Sequence, residues 1–341
     1  MTEPEVLFER RGPLGHIILN RPKSINALTT GMVLAIQPQL DAWATDDSID
    51  TVLITGAGER GLCAGGDIVS MYNDAKSGQI ERSAFFLRNE YRLNSTIANY
   101  AKPYVAIMDG IVLGGGIGLS AHGSHRVVTE RSKLGMPETG IGFFPDVGGT
   151  WLLSHTPGEL GTHLALTGGS IGAGDAIAIG LADYFVPSNA IPALIVALEH
   201  TDAGSAIAAA ATAAPDSPLA ARRAFLDEAY SAPTAVEIVE WLGADPVAAE
   251  ILSKSPTAVT VTLEALRRGR VMGSLEEALS QEYRMALTAF SAPDFVEGVR
   301  AQVIDKDRRP KWSPATLGEV RPEAVAAYFE PIGADELDLT R

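Results

Sequence analysis

The chain has 341 residues, 46% of them hydrophobic and 20% charged, with 34 glycines and 20 prolines. That composition belongs to a folded globular protein and excludes a disordered or collagen-like chain; the length predicts two domains, or one large domain with an appendage. Forty-two acidic against 27 basic residues leave a net charge of -15, which repels phosphate backbones and anionic lipid, so neither nucleic acid nor a membrane is an expected partner.

Residues 6–8 and 16–19 are short apolar runs separated by Gly12-Pro13 and Gly15, the punctuation of a β-hairpin. Thr29 or Thr30 is placed to cap a helix whose Met32, Ile36, Leu40 and Trp43 recur every three or four residues, with Pro38 expected to kink it. Residues 51–55 and 104–108 read as strands ending in Gly-rich turns; between them residues 82–100 read as a long helix with Phe86, Leu93 and Ile97 inward. Alternating strand and helix predicts an α/β architecture. After Val186 strand-like runs become scarce and an alanine-rich tract, 203–214, ends in Pro-Asp-Ser-Pro. The boundary is therefore set near residue 200, with a core over 1–200 and a helical C-terminal region over 201–341. In that region Ser255-Pro256 reads as an N-cap followed by a first-turn proline, and Ser274 with Glu277 as a capping box opening an amphipathic helix toward Phe290. Cys63 is the single cysteine, which excludes an intrachain disulfide and a thiolate zinc cluster and fits a reducing compartment. The opening MTEPEVLFERRG carries no apolar leader, so a cytoplasmic location is expected.

Two glycine-rich turns follow strands: GLCAGGDI at 61–68 and GIVLGGGIGLS at 110–120. Glycine lets bare backbone approach a ligand, and N–H groups at a helix start donate to developing negative charge, so one N–H from each turn would form an oxyanion hole. The alternative is that the glycines serve only tight turns and close packing. Residues 116–121 also spell the GxGxxA of a dinucleotide fingerprint, but Glu138, near the required spacing, sits in Pro-Glu-Thr and not at the end of an apolar run. Residues 168–172 spell GxSxG, preceded by a helical-looking Leu-Ala-Leu where a hydrolase elbow needs a buried strand. In MPETGIGFFPDVGGTW, 136–151, Glu138 and Asp146 stand among apolar residues and turn formers. Carboxylates in such surroundings take raised pKa values and serve as base, acid or nucleophile; the structural alternatives are a turn start for Glu138 and a helix cap for Asp146. His122 and His125 have HxxH spacing without an evident third ligand, so no metal site is expected.

Together with LNRPKSINAL at 19–28, the two turns and the PET segment make the chain resemble the crotonase (enoyl-CoA hydratase/isomerase) superfamily. The strings EYRLNSTIANYAKPYVAIMDGIVLGGGIGLS, MPETGIGFFPDVGGT, SPTAVTVTLEALRRG, EYRMALTAF, DFVEGVRAQVIDKDRRPKW and SPATLGEV are similar to its thioester-hydrolase branch. The resemblance implies a spiral of repeated ββα units with a helical C-terminal region, an acyl-CoA substrate and a homo-oligomer, commonly a trimer. It places the oxyanion donors at the backbone N–H groups of Gly66 and Gly115 and pairs Glu138 with Asp146 as the catalytic carboxyls. Glu90, Lys23, Asn26 and Asp67 join Gly115, Glu138 and Asp146 as substrate contacts. The second glutamate of the superfamily's hydratases falls at Gly118, which disfavours water addition and favours hydrolysis of a short 3-hydroxyacyl-CoA thioester. An enoyl-CoA hydratase or isomerase and a catalytically silent acyl-CoA binder are the alternatives. No metal or redox cofactor is required, coenzyme A being part of the substrate. Arg21, Lys23, Arg60, Arg267, Arg268 and Arg270 are expected to offset the repulsion between an acidic protein and the CoA phosphates.

Overall fold

The computed structural model describes residues 3–339; Met1 and Thr2 of the acidic opening and the last two residues of the helical region lie outside them. The described chain groups into two compact units, each assembled from three stretches: one from residues up to Gly66, Arg92–Gly135 and Ile171–Pro218, the other from Asp67–Tyr91, Met136–Ser170 and the residues from Leu219 onward. This grouping by spatial neighbours is a different partition from the compositional boundary near residue 200. From Ala203 onward the regular elements are all helical among the described residues.

The first unit is built on strands. In chain order they are β1 (Val6–Arg11), β2 (Leu14–Leu19), β3 (Thr51–Gly56), β4 (Gly61–Cys63), β5 (Tyr104–Met108), β6 (Ile111–Leu113), β7 (His125–Val128), β8 (Lys133–Gly135), β9 (Ser170–Ile171) and β10 (Tyr184–Phe185). Only Ile171 of β9 falls in this unit. One sheet runs β1-β2-β3-β5-β7-β10 and the other β4-β6-β8-β9. The β1-β2 hairpin is antiparallel, while β2-β3, β3-β5, β5-β7 and β10-β7 are parallel, as βα alternation demands. Leu14, Leu53, Val105, Val127, Val186, Leu198 and Ile207 form a buried core cluster there. The expected helix spans Thr30–Ala44, with Thr29 accepting from the Met32 N–H, Pro38 inside it, and Met32, Ile36, Leu40 and Trp43 buried.

The second unit is mainly helical. Its helix Leu275–Ser291 buries Ala278, Leu279, Ala286 and Phe290 on one face, at the spacing of an amphipathic helix. Ser274 accepts from the Glu277 N–H as expected, but the reciprocal half of the capping box is not made. Glu277 Oε2 instead accepts from the Gly273 N–H at 3.1 Å, one residue further out. Ser255 caps Pro256–Gly269 as predicted. The GxSxG stretch follows helix Leu160–Thr167 and contains only β9, so it is no nucleophile elbow. The long helix Ile80–Ala98 passes from the second unit into the first after Tyr91.

Candidate active site

In the first unit, β4 and β6 are parallel neighbours with Gly61 opposite Ile111, so the turns that follow them leave the sheet from the same edge. Gly65 adopts φ +106°, and a Cβ there would lie 3.8 Å from the Gly115 N and 3.5 Å from the Leu113 carbonyl. The two glycine turns therefore lie side by side. Gly115 is the first residue of helix Gly115–Ser120, a position whose N–H has no partner within the helix. The LNRPKSINAL segment braces the first turn: Leu28 N–H donates to the Gly65 carbonyl at 2.8 Å and Ala64 N–H to the Ile25 carbonyl at 2.9 Å. Asn26 is fully buried, its Nδ2 donating to the carbonyls of Ala57 and Gly61 and its Oδ1 accepting from Arg21 N–H. Its side chain holds this turn in place. Lys23 is exposed on a one-turn helix, Pro22–Ser24.

The second unit holds a cluster of four carboxyls. Glu90 and Asp146 are buried, Glu138 is 8% exposed and Glu282 is wholly enclosed. Glu138 opens the 3-10 turn Glu138–Ile141, closed by Gly142 at φ +71°. A Cβ on Gly142 would lie 2.3 Å from the Asp294 carbonyl. The next two residues, Phe143 and Phe144, stack at 4.3 Å, and Phe143 also packs on Phe290 and Phe295, pinning the link from Glu138 to Asp146 to the tail helices. Asp146 does not cap helix Gly149–Ser154. Gly148 occupies the cap position without a side-chain bond, and the Asp146 carboxyl instead accepts from Tyr91 Oη at 2.9 Å.

Electrostatics in the cluster follow from burial. Asp146 is pushed up to about 7, desolvation outweighing the Tyr91 hydrogen bond that opposes it. Burial, and then the neighbouring Asp146, raise Glu138 well above the carboxylate range. Glu90 is raised for the same two reasons. One carboxyl oxygen of Glu138 and one of Glu90 are buried with no hydrogen-bond partner, an arrangement that favours the protonated acid. The cluster can therefore exchange protons near neutral pH.

The predicted residues separate by unit. Glu90, Glu138 and Asp146 come together in the second, whereas Gly66, Gly115, Asn26 and Lys23 belong to the first. Asp67, in the second, caps helix Ile68–Ser77 through the Ser70 N–H. The six basic residues considered for the CoA phosphates mostly have partners within the chain. Arg21 pairs with Glu5, Arg60 donates to the Pro22 and Lys23 carbonyls, Arg267 to the Pro233 and Ala232 carbonyls, Arg268 pairs with Glu264 and Arg270 with Glu159. Two residues escaped the sequence reading. Tyr91 sits beside Glu90 in EYRLNST, and nothing local marks its hydroxyl as a donor to Asp146. Glu282 did leave a signal: in the sequence LEEALSQEYRMALTAF it falls three residues after Leu279 and four before Ala286, on the apolar face. Among the described residues no group of His, Cys, Asp and Glu has the arrangement to hold a metal ion, and no helix is long and apolar enough to cross a membrane.

Comparison with known proteins gives the chain's relatives. Residues 14–329 match the enoyl-CoA hydratase/isomerase family. The zebrafish (Danio rerio) 3-hydroxyisobutyryl-CoA hydrolase, mitochondrial, is 44% identical, over 98% of this chain and 91% of its own. The human protein of the same name is 39% identical over 98% and 90%. Among solved structures, one described as a carnitinyl-CoA dehydratase from Mycobacterium thermoresistibile superposes with a TM-score of 0.95 at 48% identity, covering 99% of both chains. An enoyl-CoA hydratase from Rhodobacter sphaeroides 2.4.1 gives 0.92 at 42%, over 98% of this chain and 100% of its own. With a family match across most of its length and relatives of this identity, the chain belongs to the enoyl-CoA hydratase/isomerase family and has the crotonase fold.

Proposed function

We propose that the protein hydrolyses a short 3-hydroxyacyl-CoA thioester, 3-hydroxyisobutyryl-CoA, to 3-hydroxyisobutyrate and coenzyme A, a step of valine breakdown. The observation that carries this reading is the buried Glu138–Asp146 pair combined with glycine at position 118. Glu138 can attack or activate water, Asp146 can hold and exchange a proton, and the helix Gly115–Ser120 carries no second carboxylate to direct water onto a double bond. The full-length curated relatives named as hydrolases support the same substrate.

The backbone N–H groups of Gly66 and Gly115 receive the thioester oxygen as it becomes an oxyanion, an interaction worth ~3 kcal/mol per donor in water-excluded sites. Glu138 then acts by one of two routes. As a nucleophile its carboxylate adds to the carbonyl carbon, the C–S bond breaks to give a mixed anhydride, and water cleaves that anhydride. As a general base it takes the proton from a water that attacks the same carbon directly. In both routes the departing sulfur receives a proton, for which Asp146, titrating near neutrality, is the donor. Asp146 also binds the 3-hydroxyl of the substrate, with Glu90 in support. The scheme uses no metal or redox cofactor. Assembly into a homo-oligomer belongs to the reading on family resemblance. So does a reducing, intracellular location, on the single cysteine; the named relatives are mitochondrial.

The solved relatives described as a dehydratase and a hydratase favour a second reading, reversible water addition to an enoyl-CoA. Assaying free-thiol release from a panel of acyl-CoAs beside hydration of crotonyl-CoA separates the two. Release of thiol from 3-hydroxyisobutyryl-CoA should be far faster than hydration; efficient hydration with no thiol release would reverse the assignment. The oxyanion role has its own test. Gly115 does not need a positive φ, so Gly115→Val is compatible with the local backbone, but its side chain displaces the acyl carbonyl. Turnover should fall at least ~10-fold with an unchanged circular dichroism spectrum; near-normal turnover would move the oxyanion donors elsewhere.

A further inference from the structure

We propose that Glu282 is a positioning residue for this chemistry, fixing the turn that carries Asp146. The inference rests on the hydrolase reading above. Glu282 lies on the inward face of helix Leu275–Ser291 and is wholly buried, and no basic side chain pairs with it among the described residues. Burying a carboxyl without a cation is costly, and a leucine or methionine would dock the helix better if docking were the only task. Three donors compensate it, all from a single short stretch. Gly148 N–H donates to Oε2 at 2.7 Å, while Thr150 N–H and Thr150 Oγ1 donate to Oε1 at 2.9 and 2.5 Å.

That stretch begins two residues after Asp146. The intervening Val147 has φ +54°, a left-handed conformation that a β-branched residue adopts only when its surroundings impose it. Gly148 follows at φ +78°, and Gly149 N–H closes the turn onto the Asp146 carbonyl at 2.6 Å. Glu282 thus clamps the segment that sets where the Asp146 side chain emerges. The next residue of the helix reaches the same carboxyl from its other end. Tyr283 packs edge-on against Tyr91 with ring centres 6.4 Å apart, and Tyr91 is the hydroxyl donor to Asp146. Arg88 in turn donates to Tyr283 Oη at 2.9 Å. One helix therefore orients both the main chain beneath Asp146 and the phenol that addresses it.

The test is a double-mutant cycle on thiol release with 3-hydroxyisobutyryl-CoA, using Glu282→Gln alone, Asp146→Asn alone and the two combined. If Glu282 works through Asp146, Glu282→Gln lowers kcat ~10-fold or more with KM changed less than ~3-fold, and lowers it less than ~3-fold when Asp146→Asn is already present. Equal losses in both backgrounds, or a lowered melting temperature with kcat intact, overturn the role. Should Glu282→Gln fail to fold, Thr150→Val removes a single donor at nearly constant volume. Its kcat loss should likewise shrink in the Asp146→Asn background, and an undiminished loss overturns the proposal. Wild-type activity is measured first. A wild type that releases no thiol from any acyl-CoA defeats the hydrolase reading and this role with it, whereas an active wild type with additive losses defeats only the role of Glu282.

Discussion

Replacing Glu138 with alanine should nearly abolish thiol release, by ~10²-fold or more, the loss typical of a removed nucleophile or general base. Glu138→Gln should be as inactive while folding at least as well, because the wild-type carboxyl is buried with one oxygen unpartnered and an ionised form there is costly. The pair of variants separates chemistry from packing. In the wild type, kcat should rise as Glu138 loses its proton and fall as the proton donor is lost. The acid limb should lie above the ordinary carboxylate range because burial and Asp146 both raise Glu138. The two limbs belong to the coupled cluster and not to single residues. In single turnover in ¹⁸O-water, label entering the Glu138 side chain identifies an anhydride cleaved at the Glu138 carbonyl, whereas general-base attack, like anhydride cleavage at the acyl carbon, labels only the product acid. A Glu138→Ala protein that still releases thiol would remove this mechanism.

Asp146→Asn should cost activity and increase stability. In the folded protein Asp146 holds its proton up to about pH 7, whereas in the unfolded chain it ionises near ~3.9. Between those values the folded state binds more protons, so stability falls as pH rises from ~4 to about 7 and then levels off. Asparagine can still accept from Tyr91 but never ionises. The melting temperature of Asp146→Asn should therefore exceed that of the wild type by a few degrees at pH 8 and by little at pH 4, while kcat drops ~10²-fold. A melting difference independent of pH would show that Asp146 is not a neutral buried acid in the folded protein.

Local pattern carried much of the architecture. The β1–β2 hairpin, the Thr29 cap, and the helices begun by Ser255 and Ser274 depend on neighbours a few residues away, and all were legible as such. The glycine-rich turns and the burial of Glu138 and Asp146 were legible for a different reason, since each motif is continuous in sequence. Contacts between distant residues left weaker traces. The Tyr91–Asp146 hydrogen bond joins positions 55 apart, and Glu282 reaches Thr150 across 132. Periodicity can mark Glu282 as inward-facing, but only the fold says which turn it meets. Composition changes near residue 200, whereas the grouping by spatial neighbours draws each unit from three separated stretches, contacts that composition does not record. The Glu277 side chain shows the limit of a local rule, passing over Ser274 to meet Gly273.

The clamp on Asp146 also has a consequence in time. A ribosome releases Glu90, Glu138 and Asp146 well before Glu282. At 5–20 residues per second the interval from 146 to 282 is about 7–27 s. During that interval the nascent chain carries Glu138 and Asp146 without the helix whose Glu282 accepts from Gly148 and Thr150. With Glu282 in the role proposed above, catalytic competence should arrive with the last fifth of translation, and chains terminated before Glu282 should release no thiol although they contain both Glu138 and Asp146.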